Sequence, residues 1–315
     1  ELCILPHATS KMEHPSDLFA VSTLGFRGEA LASIGSVSRM VIETRCADES
    51  EGTRVMVEGG VEREVLPMGR GPGTTVIVSN MFFNTPARRK FLRHVDTEGR
   101  YITRVVVELA AAHPEVGFEL VNQERTVLHY LAGNRRERAA EVLDIDPGIL
   151  VQVRLGEGGG EGEGFLSPPV LCKKTKGKQF LVVRGRPIGS RILVQAVYRG
   201  FGGLLGGDVH PSFLIWMDLA ARKIDVNVHP TKREIRIADE SRVEETLRSA
   251  VRAALEIPET PAFVYRQDAE FQPVSFADSA ALVGGKWADI LPGDEQGCGD
   301  EDLTEGPGKG EVSPI

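Results

Sequence analysis

Between Met40 and Val78 the sequence alternates Val, Ile and Thr with polar residues in short runs separated by glycine clusters. Period-two patterning of this kind suits strands with one buried face, and Gly59-Gly60 and Gly71-Pro72-Gly73 are hairpin signals between them. Three or four strands are predicted, at Met40–Thr44, Thr53–Glu58, Val61–Leu66 and Thr74–Val78. A helix over about Gly28–Ser38 precedes them, because Ala30, Leu31 and Ile34 recur at helical spacing. A second helix, about Thr97–Ala112, carries Ile102, Val105, Val106, Leu109 and Ala112 on one side and stops at His113-Pro114. Strands at Val116–Val121 and Val127–Leu131 close this first block.

Gly133-Asn134 reads as a boundary. A helix at Arg135–Leu143 then leads to a strand at Val151–Leu155, and the glycine-rich run Gly156–Gly164 reads as a surface loop. Strands at Gln179–Arg184 and Ser212–Leu219 flank a helix at about Ser190–Tyr198, a βαβ-like unit. Short strands at Ile224–Val228 and Glu234–Ile237 surround a loop, and Glu240–Ala254 is an amphipathic helix. From residue 257 the periodicity fades into Pro, Gly, Ser and acid, which reads as a linker expected to be disordered.

A length of 315 residues is a soft prior for two domains, and 41% hydrophobic content excludes a wholly disordered chain. No apolar run approaches the ~18–20 residues of a membrane span, so a soluble protein is expected. The four cysteines (Cys3, Cys46, Cys172, Cys298) form no C-x-x-C pair, which argues against a disulfide scaffold or a cysteine zinc site and fits a reducing cytosol. The seven histidines show no zincin spacing, so no metal site is expected from them. The start Glu-Leu-Cys-Ile-Leu-Pro does not read as a signal peptide and carries no initiator Met, so a chain that begins partway through a larger protein is expected.

The net charge of −8 is unevenly spread. Residues 271–315 hold nine Asp/Glu against two Lys/Arg, which leaves −1 for residues 1–270. Between Val170 and Gly200 the chain has eight cations and no acid: Lys173, Lys174, Lys176, Lys178, Arg184, Arg186, Arg191 and Arg199. Such a stripe can neutralise phosphates without reading sequence, or be a solvated basic face. Few aromatics interleave it, so a base-stacking platform is not indicated.

Gly25-Phe-Arg-Gly-Glu-Ala-Leu-Ala-Ser-Ile34 is a glycine-rich turn running into a helix. Glycines at Gly25 and Gly28 would let backbone N–H groups approach an anion, and a helix N-terminus favours negative charge. By spacing alone the segment is equally an ordinary helix start. It is not a P-loop, since G-x-x-x-x-G-K-[ST] is absent.

Several runs together carry a resemblance. Gly25–Ile34 resembles the third ATP-binding motif of the MutL family of DNA mismatch repair proteins, within the ATPase superfamily of gyrase, a heat-shock chaperone class and histidine kinases. His7-Ala-Thr-Ser-Lys11 resembles that family's ATP-lid segment. Gly73-Thr74-Thr75 with Met81-Phe-Phe-Asn-Thr-Pro-Ala-Arg-Arg-Lys-Phe-Leu92 resembles its fourth motif and the stretch after it. Asp225-Val-Asn-Val-His-Pro-Thr-Lys-Arg-Glu-Ile-Arg236 resembles the loop of its second domain. The runs occur in family order across residues 1–256.

The resemblance implies an α+β fold: a partial α/β-sandwich ATP-binding domain of the gyrase/MutL type over residues 1–132, a βαβ transducer-like second domain over 133–256, and an acidic Pro/Gly-rich linker over 257–315. It implies that Gly25, Phe26, Arg27, Gly28, Glu29, Ala30 and Leu31 wrap the triphosphate of ATP. Thr74 would help hold the adenine, and Lys232 would reach from the second domain to the γ-phosphate. Arg191 matches a basic position in the family's proposed DNA groove, and Lys173, Lys174, Lys176 and Lys178 join it as DNA-binding candidates. Asn84–Arg88 with Arg89, Lys90 and Arg93 is read mainly as structural, Pro86 pre-setting a helix start.

The family's first two motifs, which supply the general base, the Mg²⁺ ligand and the adenine-binding aspartate, are not found in the sequence. No catalytic residue is therefore assigned. The chain alone is expected to be inactive, and ATP hydrolysis with Mg²⁺ is expected of the complete protein. The implied partners are double-stranded DNA, a MutS-type mismatch sensor, a downstream nuclease or helicase and a second copy of the protein, with no membrane. The implied location is cytoplasmic and nucleoid-associated. The alternatives are a type II topoisomerase-like ATPase region and a non-catalytic DNA-binding or interaction fragment.

Overall fold

The computed structural model describes residues 2–9, 25, 28–156, 161–176, 178–220, 224–225, 236–237 and 239–256. The chain divides into two compact units, Glu1–Glu259 and Thr260–Ile315, and all described residues lie in the first. The linker expected over 257–315 lies outside the described residues.

The first block is a four-stranded antiparallel sheet in the order β3-β2-β1-β4, from β1 (Arg39–Arg45), β2 (Gly52–Glu58), β3 (Val61–Met68) and β4 (Gly73–Ser79). Alternation works as the sequence predicts. Met40, Ile42, Val55 and Val57 turn to one face, where Leu31 and Ile34 of helix α1 (Ala30–Ser36) pack on them together with Ile4. Gly35 makes this approach possible, since a Cβ there would meet Met40 Cε at 3.0 Å. The outer strand β4 is exposed along its whole length, with Val76 and Ile77 about half accessible. A short helix, α2 (Pro86–Arg89), has proline in its first turn.

The long helix α3 (Val95–Ala112) leaves this block and ends inside the next. A small hairpin, β5 (Phe118–Asn122) with β6 (Arg125–Tyr130), follows it. Helix α4 (Arg135–Leu143) then opens on a reciprocal cap. Asn134 Oδ1 accepts from the Glu137 amide, and the Glu137 carboxylate accepts from the Asn134 amide, each at 2.9 Å.

The second block is a five-stranded sheet in the order β10-β9-β11-β8-β7, from β7 (Val151–Leu155), β8 (Glu161–Leu166), β9 (Gln179–Val183), β10 (Arg186–Ile188) and β11 (Phe213–Asp218). Strands β9 and β11 run parallel, with helix α5 (Arg191–Phe201) in the crossover, so the βαβ unit expected from the sequence is present. Helix α6 (Glu240–Ala254) lies beside α5, and Gly200 is the point of contact: a Cβ there would meet Val251 Cβ at 2.6 Å. Fragments β12 (Ile224–Asp225) and β13 (Arg236–Ile237) pair antiparallel. The rest of the two strands expected around the 226–235 loop lies outside the described residues.

Helices cover both faces of this sheet. Phe213, Ile215 and Met217 join α5 and α6 on one side, while Leu214 and Trp216 meet Ala111, Ala139, Val142 and Leu143 of α3 and α4 on the other. A central strand buried on both faces needs a continuous apolar run, which Phe213–Met217 supplies.

One expectation is corrected here and one strand is added. The glycine run read as a loop ends in β8, between β11 and β7. Its glycines serve packing: a Cβ at Gly164 would lie 2.7 Å from Ile215 Cγ1, and one at Gly162 would strike the Trp216 carbonyl. The strand expected at Gln179–Arg184 is present as β9, and a short strand not expected from the sequence, β10, folds back on it through a turn at Arg184-Gly185, both at positive φ.

Arg138 ties α4 to the end of α3 and to both ends of the β5–β6 hairpin. It is 1% exposed, and its guanidinium donates to the carbonyls of Ala110 (2.6 Å), Val116 (2.8 Å), Leu131 (2.7 Å), His113 (3.3 Å) and Pro114 (3.3 Å). Trp216 Nε1 adds a bond to the Ala111 carbonyl at 3.0 Å. The Ala110 carbonyl at the end of α3 has no helical partner; the four N–H groups of Nη1 and Nη2 are shared among these carbonyls, while Nε–H donates to Glu141 Oε2 at 3.2 Å. Arg138→Met keeps the bulk but removes these donors from the Ala110, Val116 and Leu131 carbonyls and the partner of Glu141, while His113 and Pro114 keep backbone donors, so a destabilisation of about 3–5 kcal/mol is expected in urea unfolding. An unchanged midpoint would mean that water or backbone shifts replace the clamp.

Candidate functional site

Two sites are built by these elements. The first is the turn into α1. Gly28 adopts φ +63° and lies against the backbone of Ala8, whose carbonyl carbon would be 2.6 Å from any Cβ added there. Glu29 occupies the N-cap position of α1 and makes no side-chain cap; its carboxylate lies 3.2 Å from His7 Nδ1. Leu31 turns toward the sheet core and Ala30 toward solvent. The structure thus brings His7-Ala8 and Gly28-Glu29 together, although twenty residues separate them in sequence. Gly25 is exposed, and Phe26, Arg27 and Lys232 lie outside the described residues.

Thr74 stands on β4 opposite Thr44, and the two hydroxyls are 2.8 Å apart. Arg70 ties the neighbouring positions, donating to the Glu43 carbonyl and, at 3.3 Å, to Thr75 Oγ1. Thr74 is exposed, so its hydroxyl keeps hydrogen-bonding capacity beyond Thr44. No group of three or more His, Cys, Asp or Glu side chains converges among the described residues. These residues therefore do not fit a Mg²⁺ site by themselves.

The second site is a cleft of about 810 Å³ between α3, the β9–β10 hairpin and α5. Lys176, Lys178 and Arg191 line it from the second block, and Arg104 and Glu108 from α3. Its wall is apolar at Phe180, Ile188 and Val194. At one end Tyr198 is held between Gln179 Nε2 (2.7 Å) and His210 Nδ1 (2.9 Å). Ser190 caps α5 by accepting from the Leu193 amide at 3.2 Å, which fixes Arg191 as the first helical residue.

The eight-cation stripe is thus not one surface. Lys176, Lys178 and Arg191 share the cleft; Lys173 and Lys174 are exposed beside it, Lys173 pairing through its backbone with His210. Arg186 is buried on β10, where burial and the neighbouring Arg184 push its pKa down. Arg199 pairs with Glu244 of α6. Arg104 and Glu108 escape sequence reasoning because the i,i+4 spacing on α3 says nothing of the distant cleft they enter. Cys172 is half-buried; burial raises its thiol pKa and a contact with Ser167 offsets this in part, so it is no ready nucleophile. No described helix is long and apolar enough to cross a membrane.

Residues 149–256 match the family described as DNA mismatch repair protein, C-terminal domain. The DNA mismatch repair protein MutL of Citrifermentans bemidjiense is 37% identical over 261 residues, 82% of this chain and 40% of the relative. That of Heliobacterium modesticaldum is 42% identical over 255 residues, 80% of this chain and 38% of the relative. The chain therefore spans about two fifths of the length of these curated relatives. Among solved structures, the Aquifex aeolicus MutL ATPase domain complexed with ADP is 28% identical, with a TM-score of 0.51 over 67% of this chain and 77% of that one.

The tight approach at Gly28 gives a local prediction. Gly28→Ala forces a Cβ into the Ala8 backbone at a left-handed φ, and is expected to cost about 1–3 kcal/mol in thermal or urea unfolding. A variant as stable as the parent would show that residues 7–9 are not held against this turn.

Proposed function

We propose that this chain, a relative of the MutL DNA mismatch repair proteins, supplies the nucleotide lid and the DNA-contacting second block of an ATP-dependent mismatch repair clamp. The observation that carries the reading is helix α3. It follows the first block in sequence, is held by Arg138 at its end in the core of the second, and lines the cationic cleft on the way. The segment that connects the block bearing the lid turn to the second block is thus itself a wall of the cleft.

In this reading ATP in the complete protein is wrapped by residues 25–31 and its adenine is held in part by Thr74. Lys232 reaches the γ-phosphate from the second block. A charge-assisted contact of about 1.5–3 kcal/mol is enough to couple nucleotide state to domain arrangement. ATP binding then brings two copies together around duplex DNA and passes the signal of a MutS-type mismatch sensor to a downstream nuclease or helicase. The division into an ATP-binding part up to 132 and a second domain over 133–256 belongs to the same proposal, as does a nucleoid-associated location. The exposed apolar strand β4 supports it, since an open edge of this kind needs cover from further ATP-binding-domain chain. Relatives at 37–42% identity favour this over a topoisomerase-like ATPase. A purely non-catalytic binding fragment stays the second reading for the chain by itself, because no metal-ligating cluster lies among its described residues.

Two measurements test it. Replacing Lys176, Lys178 and Arg191 together by Ala should weaken binding to a short DNA duplex. The dependence of log K on log salt should flatten by about 0.9 for each phosphate that is no longer neutralised. Wild-type chain with no salt-dependent binding would overturn the DNA role. In the complete protein, Lys232→Ala should lower ATP turnover about 10- to 100-fold with the fold intact. Unchanged turnover would remove Lys232 from the site.

A further inference from the structure

We propose that Glu108 is a built-in competitor for DNA phosphates in the cleft between α3 and α5, holding Arg104 on itself and so setting the salt range over which the cleft binds. The inference rests on the reading of that cleft as a DNA-backbone site and adds to it a residue that tunes the affinity.

Among the described residues lining the cleft, Glu108 is the one carboxylate; Lys176, Lys178, Arg191 and Arg104 line the same space. Its side chain is 14% exposed, whereas that of Arg104 is 65% exposed, and the Arg104 Nε–H donates to Glu108 Oε1 at 2.8 Å. Helix stability gives little reason for the pair, because an arginine preceding a glutamate by four residues is the weaker of the two orientations. Its position gives a better one. A cleft with apolar walls confines field lines, so a single anion on its wall acts more strongly on an incoming phosphate than it would on an open surface.

While Arg104 sits on Glu108, a phosphate entering the cleft meets three cations, one anion and a fourth cation already partnered. Full binding requires Arg104 to exchange a carboxylate for a phosphate oxygen. The exchange releases no net charge, so it contributes affinity only when the other cations have already engaged the backbone. Removing the carboxylate charge frees Arg104 to take a phosphate and abolishes the repulsion at once.

Glu108→Gln keeps the size and a hydrogen-bond acceptor for Arg104 while removing the charge. Its affinity for a short fluorescein-labelled duplex should rise about 3- to 10-fold at low salt. Its log K against log salt slope should steepen by about 0.9, the signature of one more phosphate neutralised. Arg104→Ala placed on Glu108→Gln should return the slope to the parental value. Glu51→Gln, in the exposed turn between β1 and β2, changes the net charge equally away from the cleft and should leave both quantities unchanged. Equal effects from Glu51→Gln and Glu108→Gln would overturn the inference, as would a lower thermal midpoint for Glu108→Gln with an unaltered slope. If the parent binds and the Lys176/Lys178/Arg191 variant does not, while Glu108→Gln matches the parent, this inference alone fails. If the parent shows no salt-dependent binding, the DNA reading fails with it.

Discussion

The arrangement depends on one buried guanidinium. Arg138 gathers carbonyls from the end of α3, the 113–116 loop and the end of β6, segments that come together only when α4 is in place. Each carbonyl would be costly to bury alone, and an arginine buried without acceptors would cost more still. Together they are satisfied, and the last turn of α3 becomes part of the second core. The capped start of α4 fixes the register in which Arg138 arrives. Trp216 reads the same helix from the sheet side, through the Ala111 carbonyl.

That anchorage explains why the cleft is composite. The second block contributes Lys176, Lys178 and Arg191 from a segment without acids, and α3 brings in Arg104 and Glu108 from outside it. Charge counted along the sequence therefore differs from charge met by a ligand. Glu244 takes Arg199, burial takes Arg186, and Glu108 lines the same cleft as Lys176, Lys178 and Arg191. The result is a smaller and more finely set positive surface than eight consecutive unpaired cations would make.

Much of the secondary structure was legible because periodicity reports burial on one face. Strands β1 and β2 show that alternation in their burial, α4 begins at its cap, and β7 and α6 lie where their apolar spacing places them. The glycine run at 156–164 misled because low complexity usually marks a loop. Here Gly162 and Gly164 are small so that β11 can lie close, a demand made by a strand some fifty residues away. The strand at β9 was legible, but the three-residue β10 after it was not, because so short a run shows no periodicity until its partner is known.

At the candidate sites the division is the same. Motif order across residues 1–256 carried the MutL resemblance, and the glycine turn into α1 was legible as a helix start, because local backbone demands leave local residue choices. The contacts of Gly28 with Ala8, of Thr74 with Thr44 and of Arg138 with five carbonyls were set only by tertiary structure. So was the entry of Glu108 into a basic cleft. The sequence by itself determined which segments become helix or strand, and which cations are available; the fold decided which of those charges meet. Pattern along a chain encodes the face a residue turns to, whereas partners across the fold depend on how separate elements dock.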